Sequence, residues 1–306
     1  MADTVERKYG LGDFFAGFMG NIGSLILVNI MFCIPLAAFT ALLWLISGGE
    51  NINIFLVFLL IPFMSPFFAG VVNVCRKVSA DKKARPIKDF FGGIKNNWKF
   101  FLVNSVLLYI LSVSIWAVSN YFSRQAGGFA AIVFLIIMIA SSVLFVFIDL
   151  SAIVMAVSVE LSFAEIIRNS IIMVMSGFAN HLKTMLSLIF TASVVYSIVV
   201  LTGEPVISLI ILGAIVVLLL PVTVIYIIVY NSYQTVEKLV IKPYQKQESE
   251  KIRDRIEKEN DEKLTVEKLE PLAKGDPEEY VFLNGKTVKR KNIIKMIEVK
   301  KNRPDM

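Results

Sequence analysis

Six long apolar runs constrain this chain more than any other feature. A membrane-spanning helix needs about 20 consecutive, mostly apolar residues. The runs 22–46, 53–74, 100–122, 129–150, 184–201 and 206–231 fit that requirement. The fourth continues apolar beyond Asp149, through LSAIVMAVSVELSF. That excess is too short for a second crossing, so it reads as a span that passes the membrane face and then turns. The expected fold class is all-α integral membrane, with six transmembrane helices.

Composition divides the chain in two. It is 56% hydrophobic with a mean hydropathy of +0.68, and only 18% charged; soluble domains run to about 25% charged. Residues 1–235 hold 13 Lys/Arg and 10 Asp/Glu, whereas 236–306 hold 18 and 15. We therefore expect a six-span membrane domain, 1–235, and a charged tail, 236–306. The net charge of +6 is no nucleic-acid signature, because the basic residues lie beside membrane segments or mix with acids. The first apolar run is longer than a signal-peptide core and has no clear small-residue cleavage site, so it reads as an uncleaved span.

The connections between runs differ in charge. SGGENIN (47–53) and TGEP (202–205) carry no Lys or Arg, and 120–128 carries Arg124 alone. The stretch 75–99 carries Arg76, Lys77, Lys82, Lys83, Arg85, Lys88, Lys95 and Lys99. Residues 159–183 add Arg168 and Lys183, and the N-terminus adds Arg7 and Lys8. Lys and Arg mark the cytoplasmic side, so the pattern implies both termini inside. Arg76, Lys77, Lys82, Lys83, Arg85 and Lys88 are the residues that set it.

A pattern also recurs about every 76 residues. GDFFAGFMGN (12–21) resembles KDFFGGIKNN (88–97), with a weaker copy from AEIIRNS (164–170). Asp13, Asp89 and Glu165 share the spacing, as do Asn73 and Asp149, while Asn29 and Asn104 are 75 apart. This predicts three helical hairpins, each preceded by a short interfacial helix. Phe14, Phe15 and Phe18, like Phe90, Phe91 and Ile94, fall on one helical face, which suits the acyl boundary. In the tail, 244–264 reads as a charged helix supported by i, i+4 pairs. Residues 279–291 alternate around Asn284-Gly285, a β-hairpin signal, and 292–299 reads as a short last helix.

Residues 62–104 carry a more specific pattern. P-x-x-S-P-x-x-A-G at Pro62–Gly70 is followed by Asn73 and Arg76-Lys77, then Asp89-Phe90-Phe91, Asn96-Asn97-Trp98-Lys99 and Asn104. This resembles the YesL-like family of uncharacterised bacterial multi-pass membrane proteins. The resemblance implies a bacterial plasma-membrane location and a loose link to carbohydrate uptake. It does not extend to the charged tail.

Polar groups are costly inside a bilayer and are functional candidates by default. The candidate intramembrane positions are Asn29, Ser65, Asn73, Asn104, Asp149 and Ser187. Asn29, Asn104 and Ser187 recur at similar depth and either line a polar interior or hydrogen-bond helices together. The repeat places Asp149 near the cytoplasmic interface. Pro62, Pro66 and Pro221 fall within spans and free carbonyls there; Ser65 is placed to satisfy one of them. His181, the only histidine, reads as an interfacial side chain. Glu160, Glu165 and Arg168 read as a local salt-bridge set, and Cys33 and Cys75 as buried thiols. There is no P-loop, no metal-ligand set and no nucleophile–base pair, so no enzymatic activity and no cofactor are expected. Two functional readings stay open. One is a non-enzymatic accessory or scaffold protein, contacting the lipid bilayer and a protein partner through its tail. The other is a small-solute transporter or channel with a site at the repeat interface.

Overall fold

A computed structural model describes residues 9–48, 53–80, 83–124, 128–243, 247, 249–251, 266–283 and 286–301. The chain is an all-α multi-pass membrane protein with one small β-hairpin. It divides into two compact units, Met1–Ile241 and Lys242–Met306.

The membrane unit contains α1 (Leu11–Gly20), α2 (Ile22–Ile46), α3 (Ile54–Phe58), α4 (Leu60–Ser79), α5 (Pro86–Arg124), α6 (Phe129–Ser158), α7 (Phe163–Ser176), α8 (Phe178–Leu201), α9 (Pro205–Leu218) and α10 (Leu220–Val236). A π-helical turn, Glu237–Ile241, continues α10. Among the described residues, five helical segments are long and apolar enough to cross a bilayer, with α3 and α4 together making one of them. Counted as one crossing, the pair α9 and α10, bent by 48°, gives a sixth, broken span.

The three segments expected as short helices begin alike. Asp13 accepts the backbone N–H of Gly10 at 3.0 Å. Asp89 accepts that of Arg85 at 2.7 Å, and Glu165 that of Ser162 at 2.9 Å. Each acid satisfies an orphan N–H and sits in the positive field of a helix start. The recurrent spacing of these acids is therefore a spacing of helix caps. Glu165 is spent on Ser162 rather than in the expected set with Glu160 and Arg168, and among the described residues no ion pair joins those three.

Two expectations need correction. The short helix at 88–97 and the span at 100–122 are not separate. They form one 39-residue helix, α5, because no proline or cap intervenes and Gly92-Gly93 stay helical. At 1.5 Å per residue it is about 58 Å long, roughly twice the hydrocarbon thickness. Nor does the aromatic face of α1 simply meet lipid. Phe14 and Phe18 pack on Tyr226 and Tyr230 of α10, while Phe15 stays 56% exposed. In α5 the split is similar: Phe90 is buried and Phe91 exposed.

The membrane unit's core lies at one end of the bundle. Buried side chains come from the start of α2, the ends of α4 and α6, the start of α5, and from α7 and α10. This end carries the basic connection between α4 and α5. The opposite halves of the spans present apolar side chains outward, including Phe129 (84% exposed), Phe190 (70%) and Leu201 (85%). In water such a surface would aggregate; hydrocarbon is a good solvent for it.

The second unit is small. Strands β1 (Tyr280–Leu283) and β2 (Lys286–Lys289) pair antiparallel, with Leu283 opposite Lys286. The expected turn residues Asn284-Gly285 and nearly all of the expected helix 244–264 lie outside the described residues. The hairpin is stabilised as a lone hairpin must be, by packing on a helix. Val281, Leu283 and Val288 meet Leu269 of the one-turn helix α11 (Val266–Leu269) and Ile293 and Ile297 of α12 (Arg290–Lys301). Gly275 has φ +131°, and a Cβ there would lie 2.0 Å from Arg290 Nη1. The positive φ is what requires glycine, and the open space is filled by the end of the Arg290 side chain, whose Nε reaches the Leu272 carbonyl at 3.1 Å.

Hydrogen bonds from Lys289 and Lys291, each 2.9 Å, hold the Glu278 carboxyl down at about 2. A depressed carboxyl favours the folded hairpin above its ordinary value of 4.5, and that contribution is lost as pH falls through about 2. An NMR titration of the Glu278 carboxyl should show this low midpoint, moving up toward the ordinary value in Lys289→Ala/Lys291→Ala. A midpoint of 4.5 in the unmutated chain would contradict the pairing.

Candidate functional site

Of the residues singled out in the spans, Asn29, Asn73, Asn104 and Asp149 fall at three separate helix joints. The first joins α4 to α5. Gly70 and Gly93 face each other so closely that a Cβ on Gly93 would lie 2.8 Å from the Ala69 carbonyl and 3.0 Å from Gly70 Cα. A Cβ on Gly70 would lie 2.8 Å from the Phe90 carbonyl. Small residues let membrane helices approach to backbone contact. The polar groups above them close the joint. Asn73 Nδ2 donates to the Asp89 carbonyl at 2.8 Å, and its Oδ1 accepts from Arg76 Nη2 at 3.2 Å. Lys77 Nζ donates to Asp89 Oδ1 at 2.6 Å. Two halves of one sequence pattern, Pro62–Arg76 and Asp89–Gly93, are therefore the two sides of one contact. Pro66 has no N–H to offer the Pro62 carbonyl, and Ser65 Oγ donates to it at 2.8 Å instead.

The second joint lies at the break in the sixth span. Leu219 leaves helical geometry at φ −143°, and Pro221 follows. Pro221 has no N–H for the Val217 carbonyl, and the bend parts the neighbouring pairs too. Asn29 of α2 repairs the gap. Its Nδ2 donates to the Val216 and Val217 carbonyls at 2.9 and 2.8 Å, and its Oδ1 accepts the Val222 N–H at 2.9 Å. Asn29 is fully buried, and its amide takes the place of lost intrahelical bonds.

The third joint ties α6 to α5 and α8. Asn104 Nδ2 donates to Asp149 Oδ1. Two residues along α6, Ser151 Oγ hydrogen-bonds His181 Nε2 at 3.1 Å, with the His181 ring stacked on Phe147 at 5.3 Å. His181 is 1% exposed, so it is a core side chain and not the interfacial one expected. Its neighbour Asn180 donates to Thr235 of α10 at 3.0 Å.

Asn29, Asn104 and Ser187 are not brought together. Asn29 serves α9 and α10, Asn104 serves α6, and Ser187 is half-buried on α8, where its carbonyl accepts Thr191 Oγ1. Among the basic residues, Lys77 is paired, Arg76 is half-buried, and Lys83, Arg85 and Lys88 are exposed; Lys82 lies outside the described residues. Ser151 and Thr235 were missed in the sequence, since a lone hydroxyl in an apolar run looks like many others. The burial of His181 was missed because its flanking Asn180 and Lys183 read as an interface. Among the described residues no three His, Cys, Asp or Glu side chains gather as metal ligands.

In comparisons with known proteins, no family model matches this chain, and neither a curated protein nor a solved structure matches it. The class that fold and geometry define is a helical multi-pass membrane protein in which Asn29, Asn73 and Asn104 bond helix to helix.

Proposed function

We propose that the protein is a non-enzymatic accessory or scaffold protein of the bacterial plasma membrane, with both termini cytoplasmic and a tail that meets a protein partner. The observation that carries this reading is Asn29. It is the most deeply buried of the recurrent polar positions, and all its hydrogen-bonding atoms are used on neighbouring backbone. A residue spent this way has nothing left for a solute. The basic connection supports the orientation by the positive-inside rule. The pattern at 62–104 supports membership of the YesL-like family, and with it a link to carbohydrate uptake. The shared caps at Asp13, Asp89 and Glu165 support descent of the membrane unit from a repeated hairpin.

Affinity purification of the full chain and of a chain ending at residue 243 tests the scaffold reading. The full chain should recover a partner that the truncated one loses. Equal recovery of the same background by both would sink the idea.

The broken sixth span favours the second reading, a small-solute transporter, because discontinuous helices form many transport sites. Solute uptake into proteoliposomes that is lost in Asn104→Leu and Asp149→Asn, with both variants folded, would favour it. We expect no such uptake.

A further inference from the structure

We infer that Arg76 is the centre of a phosphate-binding site where α4 packs on α10, at the basic end of the bundle. This goes beyond the scaffold reading and rests only on the chain being embedded in a membrane.

The guanidinium has five N–H donors. One of its nitrogens, Nη2, reaches Asn73 Oδ1 at 3.2 Å, whereas Nε is fully buried without a partner. The carboxylate nearest in charge, Asp89, is already engaged, with Oδ1 on Lys77 and Oδ2 on the Arg85 N–H. Among the described residues Arg76 has no ion pair of its own. A half-buried guanidinium whose Nε is orphaned and whose neighbouring carboxylate is already engaged is costly, and the cost falls when an anion pairs with it.

The surroundings point to the kind of anion. Ser79, one turn further along α4, is 1% exposed with its hydroxyl unpartnered. Ser232 on α10 is likewise 1% exposed and unpartnered, and it adjoins Tyr233, whose phenol lies within electrostatic range of Arg76. Both helices belong to one packed core. An orphaned guanidinium N–H and unpartnered hydroxyls on two helices packed against each other suit a tetrahedral phosphate, which offers acceptors in several directions; a planar carboxylate satisfies one fork only. Exposed Lys83, Arg85 and Lys88 raise the local concentration of anions. Since α4 ends at Ser79, the site lies at the level of lipid headgroups. It would take either a phospholipid headgroup or a soluble phosphate.

The test uses the purified full chain in detergent with two probes. Native mass spectrometry measures binding of phosphatidylglycerol against phosphatidylcholine. Thermal unfolding measures inorganic phosphate against chloride at matched ionic strength. If the source is lipid, phosphatidylglycerol binds more tightly than phosphatidylcholine, and Arg76→Gln weakens it by roughly ten- to a hundredfold. If the source is soluble, phosphate raises the unfolding temperature of the native chain and not of Arg76→Gln. Lys88→Gln, an exposed charge, should change either readout little. Ser79→Ala/Ser232→Ala keeps the charge and covers the case in which Arg76→Gln does not fold; it should weaken binding several-fold. The proposal is overturned if neither probe distinguishes Arg76→Gln from the native chain, or if the double serine variant binds as the native chain does.

Discussion

Replacing Asn29 by leucine is expected to destabilise the membrane unit more than any other single polar-to-apolar change in the spans. Leucine is close in size, so packing is not the issue. What is lost is the amide that closes the break between α9 and α10. The Val216 and Val217 carbonyls and the Val222 N–H would be left in an apolar interior without water. Each such group costs about 1–3 kcal/mol when unpaired, and partial relaxation of the bend would recover some of that. A net loss of about 2–5 kcal/mol is expected. Thermal unfolding in mild detergent should show a large fall in the midpoint. Ser187→Leu, at a half-buried position, should show little. Equal stability of Asn29→Leu and the native chain would mean that the break is not held by this side chain.

Gly93→Ala is expected to force α4 and α5 apart. The added methyl carbon would sit 2.8 Å from the Ala69 carbonyl and from Asn73 Cβ, and 3.0 Å from Gly70 Cα. Two of these three atoms are backbone, so no rotamer change relieves the clash. Overpacking of this kind costs about 1–3 kcal/mol, and here the bonds that cross from Asn73 and Lys77 of α4 to Asp89 of α5 are stretched as well. The neighbouring Gly92 is the internal control, because a Cβ there meets nothing within 4 Å. Gly92→Ala should stabilise by about 0.5–1 kcal/mol through helix propensity alone. Opposite signs at adjacent glycines, read by the same unfolding assay, would identify the α4–α5 approach as the cause. Equal effects would refute it.

The membrane class, the spans and the tail hairpin were legible in the sequence because each rests on a local pattern. The acids Asp13, Asp89 and Glu165 were legible as a spacing, though not as caps, since a cap is recognised by the N–H it accepts. Ser65 was legible as a donor to a carbonyl freed by a proline, and the fold shows which one, that of Pro62. The role of Asn29 was not legible. Its partners are 187, 188 and 193 residues away in sequence, and no local pattern links an asparagine in the first span to a proline in the last. Likewise Gly70 and Gly93 were visible as small residues, but only the fold shows them face to face. The joining of the short helix at 88–97 to the following span depends on what is absent between them, which periodicity alone does not reveal.

The central claim is that the polar groups inside the spans are joints and not the walls of an aqueous passage. The two native cysteines test it directly. Cys33 lies beside the Asn29 joint, with Sγ 3.7 Å from the Val216 carbonyl, and Cys75 is buried in the packed core. Intact vesicles of either orientation would be treated with a membrane-impermeant maleimide and the labelled cysteines read by mass spectrometry, with unfolded protein as the reference for full labelling. Neither cysteine is expected to label from either side, although both label after unfolding. Labelling of Cys33 by the impermeant reagent in intact vesicles would place water at the Asn29 joint and contradict that claim.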